Sequence, residues 1–299
     1  GSPERRVRTN AGGRAVIDLS DLVSAAFRFW TPLGFAAMGG VVSERAGVVN
    51  IGLEAMMLGG AFAGVAVAST SGNAYLGLAA GTATGALIGF LHAVLTQALR
   101  VPHILSGVGL NLGILGLTTY LLRVYFGGAL DTENKLPGLF VTLLGIVTVL
   151  TLFFILARTP LGLRLRAVGE NPAAARSAGV NVTRLRYSAV TLSGALAGIG
   201  GVALALAALG SFRENMTGGR GYIALAAVIF GRWHPLGAAA AAFFFALGDA
   251  LQQSLQTAGL AERIPPDFLT LLPYLLTLIA LAGLSGKASA PAALGNQEA

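Results

Sequence analysis

A chain of 299 residues with 55% apolar and only 11% charged side chains cannot coat itself with a water-facing surface, for which soluble domains use about 25% charged residues. The formal net charge is +7, yet the arginines gather at the ends of apolar runs and form no stripe with aromatics, which is the pattern of membrane topology and excludes a nucleic-acid binder. The absence of cysteine removes disulfides, thiolate metal sites and thiol catalysis, and three scattered histidines make no metal-ligand set.

Apolar runs long enough to cross ~30 Å of hydrocarbon lie at 22–42, 51–69, 74–99, 103–125, 138–157, 187–209, 235–254 and 268–285. A shorter run at 221–231 follows the glycine-rich Thr217-Gly218-Gly219-Arg220-Gly221 and reads as a broken or re-entrant helix. The expected fold is all-α: a polytopic transmembrane bundle of about eight or nine helices in one domain, 21–285. It is preceded by a tail, 1–20, in which Gly1-Ser2 reads as a tag-cleavage scar. A small, polar, flexible tail is expected over 286–299.

The segment 158–186 holds Arg158, Arg164, Arg166, Arg176, Arg184 and Arg186 against the single acid Glu170, which makes it cytoplasmic. Counting helices back from it places Arg100 on the same side, Asp131 to Lys135 outside, and the N-terminus outside as well. Arg5, Arg6, Arg8 and Arg14 conflict with that last assignment, and one re-entrant segment among the first five would remove the conflict.

Three constellations carry chemistry. Ser43-Glu44-Arg45-Ala46-Gly47-Val48-Val49-Asn50-Ile51-Gly52-Leu53-Glu54 sits between two apolar runs with almost no room for an aqueous loop. Glu44, Arg45, Asn50 and Glu54 are therefore at membrane depth, where charged and amide groups face protein or a water-filled path. Pathway lining, structural pairing and direct substrate contact all remain open for them. In the second, Asn171 suits an N-cap, Pro172 the first helical position and Gly179 a C-terminal stop. A two-turn helix over Asn171–Gly179, flanked by arginines, fits a knob that docks into a soluble partner; a helix lying on anionic headgroups is the competing reading. The third, Gly210 to Tyr222 around Phe212 and Arg213, reads as an external turn leading into the broken helix. Isolated polar residues inside apolar runs, His92, Asn111 and Asp249 among them, complete the set. A helix–helix hydrogen bond accounts for each of these singly, and Asp249 and Asn111 join the candidate path. No catalytic triad, metal spacing or nucleotide loop is present, so the chain is expected to be no enzyme and to hold no cofactor.

Glu44-Arg45-Ala46-Gly47-Val48-Val49-Asn50-Ile51-Gly52-Leu53-Glu54, Arg166-Ala167-Val168-Gly169-Glu170-Asn171-Pro172-Ala173-Ala174-Ala175 and, more loosely, Gly219-Arg220-Gly221-Tyr222 onward resemble permease subunits of bacterial ABC importers for branched-chain amino acids, simple sugars and nucleosides. The nucleoside-type branch is the nearest in pattern, from about residue 20 to 285. The resemblance implies a multi-pass protein of the cytoplasmic membrane. The residues at membrane depth give the expected path, past Glu44, Arg45, Asn50, Glu54, Asn111, Phe212 and Asp249, and the resemblance implies a coupling segment made by Arg166, Glu170, Asn171, Pro172, Ala174, Arg176 and Gly179. It also implies a partner ABC ATPase that holds ATP and magnesium, a second and different permease chain, and an external substrate-binding lipoprotein. Ala55 and a short 126–140 connection depart from the family pattern. A sugar or branched-chain amino-acid permease is the alternative within transport, and a secondary transporter or channel acting alone is the alternative outside it.

Overall fold

Every apolar run that falls among the described residues is helical in the computed structural model, which describes residues 19–257 and 289–296. The run at 268–285 and the tail 1–18 lie outside them. Ten α-helices among the described residues carry the fold: α1 Leu19–Arg45, α2 Leu53–Ser71, α3 Ala74–Ala93, α4 His103–Phe126, α5 Gly138–Arg158, α6 Pro160–Glu170, α7 Pro172–Ser177, α8 Val182–Val202, α9 Arg220–Phe230 and α10 Pro235–Thr257. π-Helical turns prolong α3 over Val94–Ala98 and α8 over Ala203–Leu209. The only strands among the described residues are β1, Leu130–Asp131, and β2, Ser211–Phe212, a two-residue antiparallel ribbon.

Six helices (α2, α3 with its π turn, α4, α5, α8 with its π turn, and α10) are long and apolar enough to cross a membrane. In α2 and α8 two thirds of the span is buried, but in α4 and α5 only about a quarter is. The first pair is therefore the centre of the bundle, and the second presents leucines such as Leu112, Leu143 and Leu150 outward, as lipid-facing helices do. α1, about 40 Å long at 1.5 Å per residue, is buried almost continuously from Trp30 to Glu44 and carries two of its four charged residues, Glu44 and Arg45, into the protein.

Lipid is as apolar as leucine, so membrane helices gain little by hydrophobicity and associate by close packing instead. The sequence supplies this through glycine at four-residue intervals. Gly77, Gly81, Gly85 and Gly89 form one edge of α3, and Gly194 and Gly198 of α8 and Gly60 and Gly64 of α2 meet it. A methyl group placed on Gly60 would lie 2.6 Å from the Cα of Gly198, and one on Gly198 would lie 2.5 Å from the carbonyl oxygen of Gly81. Three backbones converge there with no space for a side chain.

The short helix α9 is the one predicted to be broken. Gly219, in the left-handed region at φ +85°, caps its start, and a Cβ at Gly221 would strike the backbone of Leu53 and Glu54. α2 begins at the same place, because the chain turns at Gly52 out of a non-helical stretch, 46–52, that follows α1. Two helices thus start side by side inside the bundle.

Of the tail 286–299 expected to be flexible, residues 289–296 are described. Over 289–296 it forms a turn that lies on the arginine-bearing end of the bundle. Ala293 donates its N–H to Gly169 O at 2.8 Å, Gly295 to Gly47 O at 3.0 Å and Ala292 to a Glu170 carboxylate oxygen at 3.2 Å, and Ala293 is buried. Small residues on both sides let backbone reach backbone, and Leu294 adds an apolar contact with the core.

Candidate functional site

The stretch between α1 and α2 runs through the protein without forming a helix. Each of its backbone polar groups needs a partner, since an unpaired one in an apolar interior costs several kcal/mol. The partners are specific. Ala46 O accepts from Arg186 Nε at 3.3 Å, and Val48 O accepts from the Ser43 hydroxyl at 2.8 Å. Val49 N donates to His103 Nδ1 at 3.3 Å, while Val49 O accepts from His92 Nε2 at 3.1 Å. Ile51 O accepts from the Asn111 amide at 3.0 Å. His92 is fully buried and its Nδ1 pairs with the Ser106 hydroxyl at 2.8 Å. A polar residue that stands alone in an apolar run is here satisfying a strip of irregular backbone.

Around α9 the same motif forms a clamp. Both carboxylate oxygens of Glu54 point at the unsatisfied N–H groups of the first turn. Oε1 accepts from the Thr217 hydroxyl and from Gly219 N at 2.9 Å, and Oε2 accepts from Gly221 N at 2.6 Å. A helix start exposes free N–H groups and the positive end of the peptide dipoles, so a carboxylate is well matched to it. Glu54 also lies in the first turn of α2 and so serves two helix starts at once. At the other end of α9, Arg45 donates from Nε to Trp233 O at 2.8 Å and from Nη2 to Arg232 O at 3.4 Å. The Trp233 indole donates to Glu44. Arg232 and Trp233 both have φ of +55°, a left-handed conformation that costs a non-glycine residue about 1–2 kcal/mol, and the Glu44–Arg45 pair holds this turn in place. The two do not bridge each other as adjacent opposite charges would suggest. Each is spent on the end of α9.

Asn111, in the third turn of α4, ties that helix to this centre. Its Oδ1 accepts from Ala55 N at 2.9 Å, and its amide donates to the Tyr222 hydroxyl at 2.8 Å. Asp249 of α10 approaches Arg220, the first residue of α9, at 4.0 Å. Asn50 donates to the Ser193 hydroxyl of α8 at 2.8 Å, and its own Oδ1 is buried with no partner among the described residues. Glu54, Asn111 and Asp249 therefore converge on the start of α9, Glu44 and Arg45 hold its end, and Asn50 is tied to α8. Phe212 does not join them. It is fully buried in the ribbon, edge-on to Phe62 at 5.2 Å between ring centres. Thr217, Tyr222, Trp233 and Ser193 complete the cluster, and nothing in the sequence marked them as partners.

The second constellation folds as a capped helix. Asn171 Oδ1 accepts from Ala174 N at 3.0 Å, Pro172 opens α7, and Gly179 leaves it at φ +81°. Pro172 and Ala175 are buried, whereas Asn171, Ala174, Arg176 and Gly179 are exposed. Glu170 receives the C-terminal turn, and Arg166, half-buried, has its Nε without a partner among the described residues. No group of three metal-binding side chains occurs among the described residues.

A multi-helix membrane protein organised about a broken helix, with a capped helix standing at its arginine-rich end, is in class a transport permease. The chain belongs to the permease family described as "Branched-chain amino acid transport system / permease component", whose model matches residues 22–281. It is 38% identical to the guanosine ABC transporter permease NupQ of Bacillus subtilis and 39% identical to the nucleoside ABC transporter permease NupC of Lactococcus lactis; each comparison covers 93% of this chain and 96% of the relative. It is 34% identical to the putative glucose ABC transporter permease TsgC13 of Haloferax volcanii, over 87% of this chain and 90% of that one. No solved structure matches it. The chain is thus a multi-pass, non-catalytic permease subunit of an ABC importer in the bacterial cytoplasmic membrane, carries no cofactor, and works with an ATPase and a substrate-binding protein.

Proposed function

We propose that this permease forms, with a second and different permease chain, the path by which nucleosides enter the cell. The observation that carries this reading is the near full-length similarity to two permeases described as guanosine and nucleoside transporters. The site chemistry agrees with a neutral solute. An anion would need a fixed, available cation along its path. Arg45 is occupied by carbonyl oxygens and Arg220 by Asp249. The path runs past the start of α9, where Tyr222 is exposed; Glu54 and Asn111 lie behind it and set its position, while Asn50 is tied to α8. In proteoliposomes holding the complete importer and its binding lipoprotein, guanosine or adenosine uptake is expected, with ribose and galactose giving none. A Tyr222→Cys variant of this cysteine-free chain should lose that uptake on treatment with a small water-soluble thiol reagent. Sugar uptake without nucleoside uptake would assign the chain to the sugar branch, and an inert thiol at position 222 would move the path elsewhere.

The arginine-bearing end is cytoplasmic by charge, and α7 is the coupling helix that meets the ATPase through its exposed face at Asn171, Ala174 and Arg176. Glu170 and Arg166 flank it, and the C-terminal turn braces it against Gly47 and hence against the clamp on α9. Ala174→Glu places a charge on that face without touching the buried Pro172 and Ala175. It should cut ATPase retention on a purification column at least tenfold, while the chain still elutes as a single folded species. Full retention and full uptake would sink the coupling assignment.

A further inference from the structure

The arginines at the cytoplasmic end are not all used by the protein. Arg164 on α6 and Arg184 in the first turn of α8 are exposed, and among the described residues neither pairs with an acid. Both line one cleft of about 380 Å³ together with the αL turn at Gly179 and the start of α8 at Asn181. Part of the lining of this cleft is apolar. Leu161, Leu185 and Ser188 are shared with a second, almost wholly apolar crevice of about 110 Å³ between α5, α6 and α8, walled by Leu152, Ile155 and Leu192. Arg184 and Ser188 are shared in turn with a shallow apolar groove of about 800 Å³ along α8 that reaches Phe90, Leu192 and Ala195. Two cations thus stand at the head of two apolar channels that descend along membrane-spanning helices.

We propose that this is a binding site for one anionic phospholipid of the cytoplasmic leaflet. Its phosphodiester would lie between Arg164 and Arg184, one acyl chain in the α5–α6–α8 crevice and the other along α8. The charge and the depth both select the occupant. A soluble acidic partner could use the arginines, but it could not fill grooves walled by residues such as Ile155 and Leu192, which belong to membrane spans. A neutral lipid could fill the grooves but would leave the two guanidinium groups without a counter-charge. Anionic headgroups are concentrated on this face of the membrane, and guanidinium pairs well with phosphate oxygens. The proposal is independent of the transported solute. Its consequence is positional, because the lipid would bridge α6 and α8 on either side of α7.

The full chain, delipidated in a mild detergent, can be titrated with dioleoyl phosphatidylglycerol and the bound molecules counted by native mass spectrometry. One phosphatidylglycerol is expected to survive at collision energies that strip phosphatidylcholine. The Arg164→Gln/Arg184→Gln double variant should bind it at least tenfold more weakly, with unchanged elution and thermal melting. A second variant, Leu192→Trp, keeps both arginines and obstructs the apolar channels; it should also lose the lipid. Equal retention of phosphatidylglycerol by the double variant overturns the site. So does competition by inorganic phosphate at millimolar concentration, which would mean a free-anion site. Loss of ATPase binding in the double variant with lipid retention intact would assign the arginines to the protein partner instead.

Discussion

Glu54→Leu should leave the chain unable to assemble into an active importer. The substitution removes the acceptor for the Thr217 hydroxyl and for Gly219 and Gly221 N–H, all of them at the start of a helix inside the protein. Hydrogen bonds to a charged group contribute about 1.5–3 kcal/mol each, and the three share one acceptor, so a loss on the order of 4 kcal/mol is expected. A folded protein has about 5–15 kcal/mol in total. The measurement is thermal unfolding in detergent together with the yield of assembled complex. Glu54→Gln is the informative companion. One oxygen remains to accept from Thr217 and Gly219, but an amide N–H₂ then faces Gly221 N–H, so an intermediate loss is expected. If the leucine variant melts and assembles like the parent, the clamp on α9 is not what holds this helix.

Gly198→Leu is the second large effect. Here the obstruction is backbone from Gly81 and Gly85, with Gly60 packed against the same turn, and none of these can rotate away. Overpacking a core costs about 1–3 kcal/mol where side chains can shift; at Gly198 helices themselves must separate, so the loss should reach or exceed the upper value. Gly113→Ala, in α4 where nothing lies within 4 Å of an added Cβ, is the matched control and should melt within ~0.5 kcal/mol of the parent. A thermal melt that ranks the two alike would show that the glycine edge of α3 is incidental to the packing.

How much of this was legible in the sequence depends on distance along the chain. The spans were legible because hydrocarbon imposes a length and a composition on each helix independently. The broken helix was legible because Thr217-Gly218-Gly219-Arg220-Gly221 sets a helix start and too few apolar residues follow to make a full span. The capped helix α7 was written in Asn171, Pro172 and Gly179. Pairings were not legible. Glu44 and Arg45 read as neighbours in sequence, yet they reach 189 and 188 residues forward to the end of α9, and no local rule announces that. The helix α6 carries a signal that could have been read, since Thr159 precedes Pro160 and caps Gly162 N. The four-residue rhythm of Gly77, Gly81, Gly85 and Gly89 is likewise plain in the letters. What it packs against is not, because α3 could have offered that edge to any helix rich in small residues. The C-terminal turn was not legible from composition, because two of its hydrogen bonds join backbone groups that every residue possesses and its other holds, the Glu170 carboxylate and the Leu294 contact, lie far off in sequence.

The separation between Glu54 and its partners also sets a timetable. Thr217 follows Glu54 by 163 residues, and at ~5–20 residues per second a ribosome needs roughly 8–30 seconds to cover that interval. Throughout it the first turn of α2 carries a carboxylate whose three donors have not yet been synthesised, beside an irregular strip of chain still waiting for Arg186. Neither can rest at its final depth in hydrocarbon alone. The nascent α1–α2 pair must linger at the water interface, or beside the insertion machinery, until α9 emerges. Its settling into the bilayer is therefore a late, post-insertion step, governed by the second half of the chain.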